Sequence, residues 1–303
     1  MLASALTAFL FSCSVLFASR SVRNLGGMAA NVSRLTLAML LLGIWAFWRG
    51  GGFSGPALPW FLLSGLIGFG MGDMALFGAL PRIGPRLSIL LTQCLGAPIA
   101  GVAEYLFLGT HPTGKELGCA AVILCGVGLA LAPEEQWKGE PRVFRLGVFF
   151  GFVSALGQGL GAVLSRKGSA VSELAGVPMD GGTAAFQRIV AGTLVTALFW
   201  WGLRSLGKEK TPLPGKAAWK ESAPFVVGNA LSGPTLGVAC FQMALLSTPS
   251  AKVLPVVATS PLITMGLAWM FQGVRPTGKS IAGGLLAVGG AVGLAWLRAT
   301  KAG

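Results

Sequence analysis

Two acids and two arginines stand where an apolar chain tolerates charge least. Asp73 follows Gly68, Gly70 and Gly72 inside one apolar run, and Glu104 lies near the end of the next. Arg34 and Arg188 each sit several residues inside their own runs. A charge at the centre of a membrane helix costs roughly 2.5–3.5 kcal/mol on insertion scales, so it must face protein or water. Asp73 is therefore the first candidate to line a cavity, bind substrate or exchange a proton there. Its alternative is a structural ion pair with Arg34 or Arg188. Glu104, within a turn of its span's end, is expected at the membrane interface. Gln93, Gln158, Gln187, Asn229 and Gln242 could hydrogen-bond a substrate or only link helices, and such links average under about 1 kcal/mol.

Other chemistry has few residues to run on. His111 is the one histidine, and Cys13, Cys94, Cys119, Cys125 and Cys240 all fall in apolar segments without metal-ligand spacing. No metal and no cofactor is expected, and the cysteines read as small buried hydrophobes. A membrane-embedded enzyme would need clustered His, Asp or Glu within spans, which argues against an enzyme. Gly273 to Ser280 spells the phosphate-loop pattern of NTPases letter for letter. That loop works where a strand delivers it to a helix N-terminus in water. Here it joins two apolar runs, so no nucleotide is expected, and Lys279 is placed at the headgroup level.

The elements that must hold these side chains are membrane helices. Only 11% of the 303 residues are charged, 53% are hydrophobic and the mean hydropathy is +0.73, so the chain cannot cover a water-facing surface. Apolar runs near the roughly 20 residues of a bilayer span recur along it, and no alternating β-barrel pattern does. The net charge of +13 is spread between the runs, where topology-setting charges belong, so nucleic acid is not an expected partner. Ten spans are predicted, five over residues 1–132 and five over 145–303, with 133–144 as a polar linker. The first run lacks a basic leader region and a cleavage site, and reads as a retained span. Tryptophans near span ends read as interface anchors.

The two halves are related. Shifted by 164 residues, Ala239–Lys279 lies over Ala75–Lys115 without a gap, with 11 of 41 positions identical, ending in Pro-Thr-Gly-Lys twice. Five spans is an odd number, so consecutive halves enter the membrane from opposite sides: an inverted repeat, as in secondary transporters. Arg34 and Arg188 hold equivalent places in the two halves, which argues for a shared architectural task more than for substrate contact. Gly/Pro interruptions in corresponding spans point to a transporter's binding site. They occur in span 3 (Gly65 to Gly72) and span 8 (Asn229, Gly233, Pro234, Gly237), and Pro98 and Pro261 form a second pair. Gly147/Gly151, Gly157/Gly161 and Gly289/Gly293 have the four-residue spacing of close helix packing.

An arginine early in the second span of each half, in Asn31-Val-Ser-Arg34-Leu and Phe186-Gln-Arg188-Ile, is one family signature. Leu106-Phe-Leu-Gly109-Thr-His-Pro-Thr113 and Met270-Phe-Gln-Gly273-Val-Arg-Pro-Thr277 carry a second, the turn between the fourth and fifth spans. On these the whole chain resembles the EamA-like branch of the drug/metabolite transporter superfamily, departing only where Thr110 and Val274 replace a usual glutamate. The resemblance implies a gradient-driven transporter, an exporter of amino acids or similar small polar metabolites. It also implies residence in the cytoplasmic (inner) membrane as a multi-pass monomer or homodimer. An exchanger of phosphorylated or nucleotide-linked sugars and a non-transporting scaffold are the rivals. The resemblance puts both termini in the cytoplasm, whereas the loops on the side opposite the N-terminus carry 14 Lys and Arg against seven on its own side, which places the termini outside.

Overall fold

The computed structural model describes residues 1–131, 140–208, 212–272 and 276–299. Every regular element in them is helical. The first half comprises α1 (Leu2–Leu25), α2 (Gly27–Trp48), α3 (Leu58–Gly65), a π-helical stretch Leu66–Asp73, α4 (Met74–Leu108) and α5 (Gly114–Leu131). The second comprises α6 (Pro141–Leu174), α7 (Gly181–Ser205), α8 (Lys216–Ala230), a π-helical stretch Leu231–Thr235, α9 (Leu236–Ser247), α10 (Ser250–Val257), α11 (Ser260–Gln272) and α12 (Gly278–Ala299). Among the described residues nine helical stretches are long and apolar enough to cross a membrane, and α12 supplies a shorter apolar helix, Gly278–Leu294. Large apolar side chains such as Leu40, Ile44, Leu198 and Val292 point outward, as a lipid-facing surface requires. Most of the 133–144 linker, and Gly273, Val274 and Arg275, lie outside the described residues.

Local chemistry explains the helix ends. α4 stops at Gly109, whose φ of 65° is the left-handed cap that favours glycine. Thr113 then opens α5 with a capping interaction: its N–H donates to Glu116 Oε2 at 2.9 Å, the reciprocal half of a capping box. Asp180 caps α7, accepting from the N–H groups of Gly182 (2.9 Å) and Thr183 (3.0 Å).

The α6 helix measures the membrane. Gly168 lies against Trp60 and Phe61, Gly161 against Gly68, Gly157 against Gly72, and Gly147 against Arg82 and Ile83. Twenty-one residues of helix rise about 32 Å, close to the roughly 30 Å of a hydrocarbon core. On its other side α6 meets Leu91 at Gly151 and Gly96 to Ala100 at Gly159. Along α6 the numbering falls in one limb and rises in the other, so the chain reverses between them. The break expected between span 3 (59–80) and span 4 (86–107) is not a coil, however: the helical backbone continues across residues 81–85. Span 9, expected over 249–271, shows the opposite departure. It is broken at Ala258 and Thr259, just before Pro261, while span 4 stays helical through Pro98.

Equivalent helices pack antiparallel. Gly126 of α5 meets the Ala287 N and Gly283 O of α12, and Gly290 meets the Ile123 N and Cys119 O. The 164-residue shift turns one set of contacts into the other. α2 and α7 pair likewise, with Gly43 against Phe186 and Gly50 against Thr183. Antiparallel packing of equivalent helices is what an inverted repeat requires. The glycines of this seam are Gly126, Gly283 and Gly290, not the expected Gly289/Gly293 pair: Gly289 has no neighbour within 4 Å, and Gly293 only touches Cys119.

Candidate functional site

Span 3 departs from α-helical geometry where glycines crowd it, and span 8 does so at the corresponding place. π-helical turns in a longer helix concentrate at functional sites because they release backbone groups and re-aim side chains. At the end of the first stretch stands Asp73, next to Gly72. Gly72 packs on Gly157, about 15 Å along α6 from Gly147, which puts Asp73 near mid-depth.

Asp73 accepts a hydrogen bond from Arg34 Nη2 at 3.2 Å, with both side chains still partly exposed (24% and 20%). Arg34 is aimed by Asn31, whose Oδ1 accepts from Nε at 2.8 Å. The structural pairing weighed for Asp73 is thus present, and it leaves the acid partly exposed. Arg188 is the third member. It is 5% exposed, its guanidinium lies 5.2 Å over the Phe69 ring, and its Nε is buried without a hydrogen-bond partner among the described residues. Asp73 feels the field of both arginines.

Glycines make this geometry possible. A Cβ on Gly65 would sit 1.8 Å from the Arg188 carbonyl oxygen, and one on Gly68 would sit 2.9 Å from Arg188 Nη2. Span 3 can therefore approach α7 only with glycine at position 65. Two guanidinium groups and one carboxylate leave one net positive charge within the protein. Such a group binds a carboxylate or phosphate, while Asp73 offers a site for an ammonium or a proton.

The other polar candidates form separate pairs. Gln158 Nε2 donates to Gln93 Oε1 at 2.9 Å, and because Gly157 touches Gly72 this pair lies at the depth of Asp73. Asn229 Oδ1 accepts from Ser14 at 2.7 Å, joining α8 to α1. Gln187 donates to the Gly52 and Ser54 carbonyls at 3.1 and 3.0 Å, which is a structural task. Gln242 is buried with neither amide atom hydrogen-bonded to a described residue.

A cavity of about 550 Å³ opens on the face formed by the α1–α2 turn, the start of α4 and the end of α7. Met74, Ala29, Arg82, Arg204, Phe150 and Trp200 are among its walls. Asp73 adjoins the wall residue Met74 along the chain, and Arg34 lies about one and a half turns beyond Ala29, but Asp73, Arg34 and Arg188 are not themselves among the walls of this vestibule.

Glu104 corrects the sequence reading. One turn from the end of α4, it is not a solvent-facing charge but 1% exposed, because Arg166 Nε reaches it at 3.2 Å and Ser250 Oγ and the Ala251 N–H also donate to it. Arg166 also donates to the Leu245 carbonyl at 2.8 Å. Lys252 reaches Glu116 at 2.8 Å. The signal was available in the balance of charges: a buried acid demands a cation from another span. Which cation it takes depends on packing.

Asp180 was passed over in the sequence. It accepts from Trp45 Nε1 at 2.8 Å as well as from Thr183 and Gly182, so Trp45 is a tie between α2 and α7 as well as an anchor. Burial pushes its carboxyl up, but the hydrogen bonds from Thr183, Trp45 and Gly182 outweigh this and hold it below the usual aspartate value. A depressed folded value gives stability that is fully present above about pH 4 and lost as pH falls through the folded value. Asp180→Ala is expected to cost about 1 kcal/mol and to flatten the acid limb of thermal unfolding below about pH 4. An unchanged acid limb in the variant would remove Asp180 from that role.

Comparison with known proteins follows the same architecture. The family model described as EamA-like transporter family matches residues 1–132 and again 145–296. A crystal structure of another protein superposes with a TM-score of 0.75 at 18% identity, covering 98% of this chain and 96% of that one, which shows a shared fold. Among curated proteins none is similar enough in sequence to count as a match.

Proposed function

Because the chain belongs to the EamA-like transporter family, we propose that it is a secondary exporter of small polar metabolites such as amino acids. It would work by alternating access between its two halves. The observation that carries this reading is the Arg34–Asp73 pair beside Arg188 at mid-depth, next to a π-helical interruption. A zwitterion suits that cluster: its carboxylate meets the surplus guanidinium, and its ammonium competes with Arg34 for Asp73. Proton exchange at Asp73 as the halves rock would couple export to a gradient. Gln93 and Gln158 would give neutral hydrogen bonds at the same depth, with Asn229 and Gln242 as further cavity candidates. The test is transport by purified protein in liposomes across a metabolite panel, with and without a proton gradient. Gradient-independent exchange of phosphorylated or nucleotide-linked sugars, with no amino-acid flux, would favour the rival reading, for which the surplus positive charge also speaks.

The phosphate-loop spelling takes no part in this function. Ser280, which would have to meet a nucleotide's metal, is buried; its hydroxyl donates to the Ala130 carbonyl at 3.0 Å, and its N–H donates to Thr277 Oγ1. Lys279→Ala is expected to keep transport within about twofold, a surface-scale effect. Labelling by a photoreactive ATP analogue is expected at background in both proteins. Saturable labelling lost in the variant would overturn this.

A further inference from the structure

The two faces of the protein are built differently. The vestibule opens on one, while a separate and mostly apolar cavity of about 530 Å³ lies beside the other, walled by Pro98, Tyr105, His111, Ala251 and Pro255 among others. On the other, α4 ends at Leu108, α5 begins at Gly114 and α10 begins at Ser250, and there two ion pairs join the halves. Glu104 of the first half holds Arg166, Ser250 Oγ and the Ala251 N–H of the second. Glu116 of the first half holds Lys252 of the second. Arg166 in turn holds the Leu245 and Leu246 carbonyls at the end of α9, at 2.8 and 3.4 Å. Both acids are nearly inaccessible, at 1% and 5%, so these are not pairs that water screens away.

We infer that Glu104–Arg166–Ser250 and Glu116–Lys252 form an ionic latch that holds the two halves together on this face while the vestibule face is open. The inference rests on the alternating-access reading. Parting the halves here must break both pairs and leave buried acids without cations, which is far more costly than separating apolar side chains. The repeat makes the device one-sided. The 164-residue shift puts Ala268, Ser280 and Ser88 at the positions of Glu104, Glu116 and Lys252. Closing the vestibule face by exchange of the halves therefore recreates neither pair. The latch tilts the resting equilibrium toward the vestibule-open state, and only a ligand that binds the other state better can offset it.

The test reads which face admits water, without any substrate. In a background with all five cysteines replaced, Gln93→Cys places a reporter at mid-depth. A membrane-impermeant maleimide is then applied to either face of oriented vesicles. With the latch intact, labelling is expected from the vestibule face. Glu104→Gln with Lys252→Gln is expected to raise latch-face labelling at least about tenfold, the response to a modest population shift. If that double variant fails to insert, Lys252→Gln alone, on a partly exposed side chain, is expected to move labelling the same way. The exchanged pair Glu116→Lys with Lys252→Glu is expected to restore one-sidedness. Unchanged latch-face labelling in an inserted variant, or labelling of the intact latch from that face, overturns the proposal. A chain that transports nothing in the panel but still shifts its labelling would keep the latch and discard the substrate reading.

Discussion

Asp73→Asn is expected to insert and fold, and to lose transport by at least about tenfold or lose its pH dependence between about pH 5 and 8, the range over which general acids serve near neutrality. The substitution keeps size and hydrogen-bonding capacity while removing the charge, so it separates titration from packing. The partial exposure of both Asp73 and Arg34 means the pair can open without moving the fold, and the amide can still accept from Arg34 Nη2. Loss of the negative charge leaves two guanidinium groups facing each other's field, so an anionic analogue should bind the variant more tightly and a zwitterion more weakly. The measurement is flux in liposomes with competitor binding on the same preparation. A variant that inserts normally and matches the parent's rate and pH profile leaves Asp73 a structural residue and ends the coupling proposal. If it misfolds, exchange of the pair, Arg34→Asp with Asp73→Arg, decides whether pairing alone matters.

Gly65→Ala is expected to cost about 3 kcal/mol, the upper range for overpacking. Its new methyl would fall 1.8 Å from the Arg188 carbonyl oxygen, 2.6 Å from its carbonyl carbon and 2.9 Å from its Cα. All three are backbone atoms of α7, so no rotamer change relieves the clash and α7 must move away from span 3. Movement there also displaces the Arg188 guanidinium from Phe69 and from Asp73. Folded, monodisperse protein should fall severalfold, and whatever folds should have lost anion binding. Gly118→Ala is the control, since Gly118 has nothing within 4 Å. Equal stability of the two variants would mean that span 3 does not need this approach.

Much of the architecture was legible because membranes constrain sequence severely. Ten apolar runs, an odd number per half and a gapless self-match at 164 residues require antiparallel equivalent helices, and α5/α12 and α2/α7 pack so. The crowded glycines of span 3 and the Gly/Pro cluster of span 8 marked the two π-helical stretches, since those residues weaken regular helix. Asp73 was legible for the same reason: an acid in a glycine-rich apolar span must have a function or a partner.

Periodicity carries no record of which partner a side chain meets. Arg34 rather than Arg188 takes the carboxylate of Asp73, because α2 and span 3 present them at 3.2 Å while the close approach at Gly65 carries Arg188 past it onto Phe69. Glu104 and Arg166 stand 62 residues apart in different halves, and Glu116 and Lys252 stand 136 apart. Their positions near span ends read equally well as interfacial charges. The sequence by itself determined the membrane class, the repeat and the short list of charges. The tertiary structure alone decided which charges pair, and so which face is latched, because a buried ion pair forms only where the packing of distant helices brings its partners within hydrogen-bond reach.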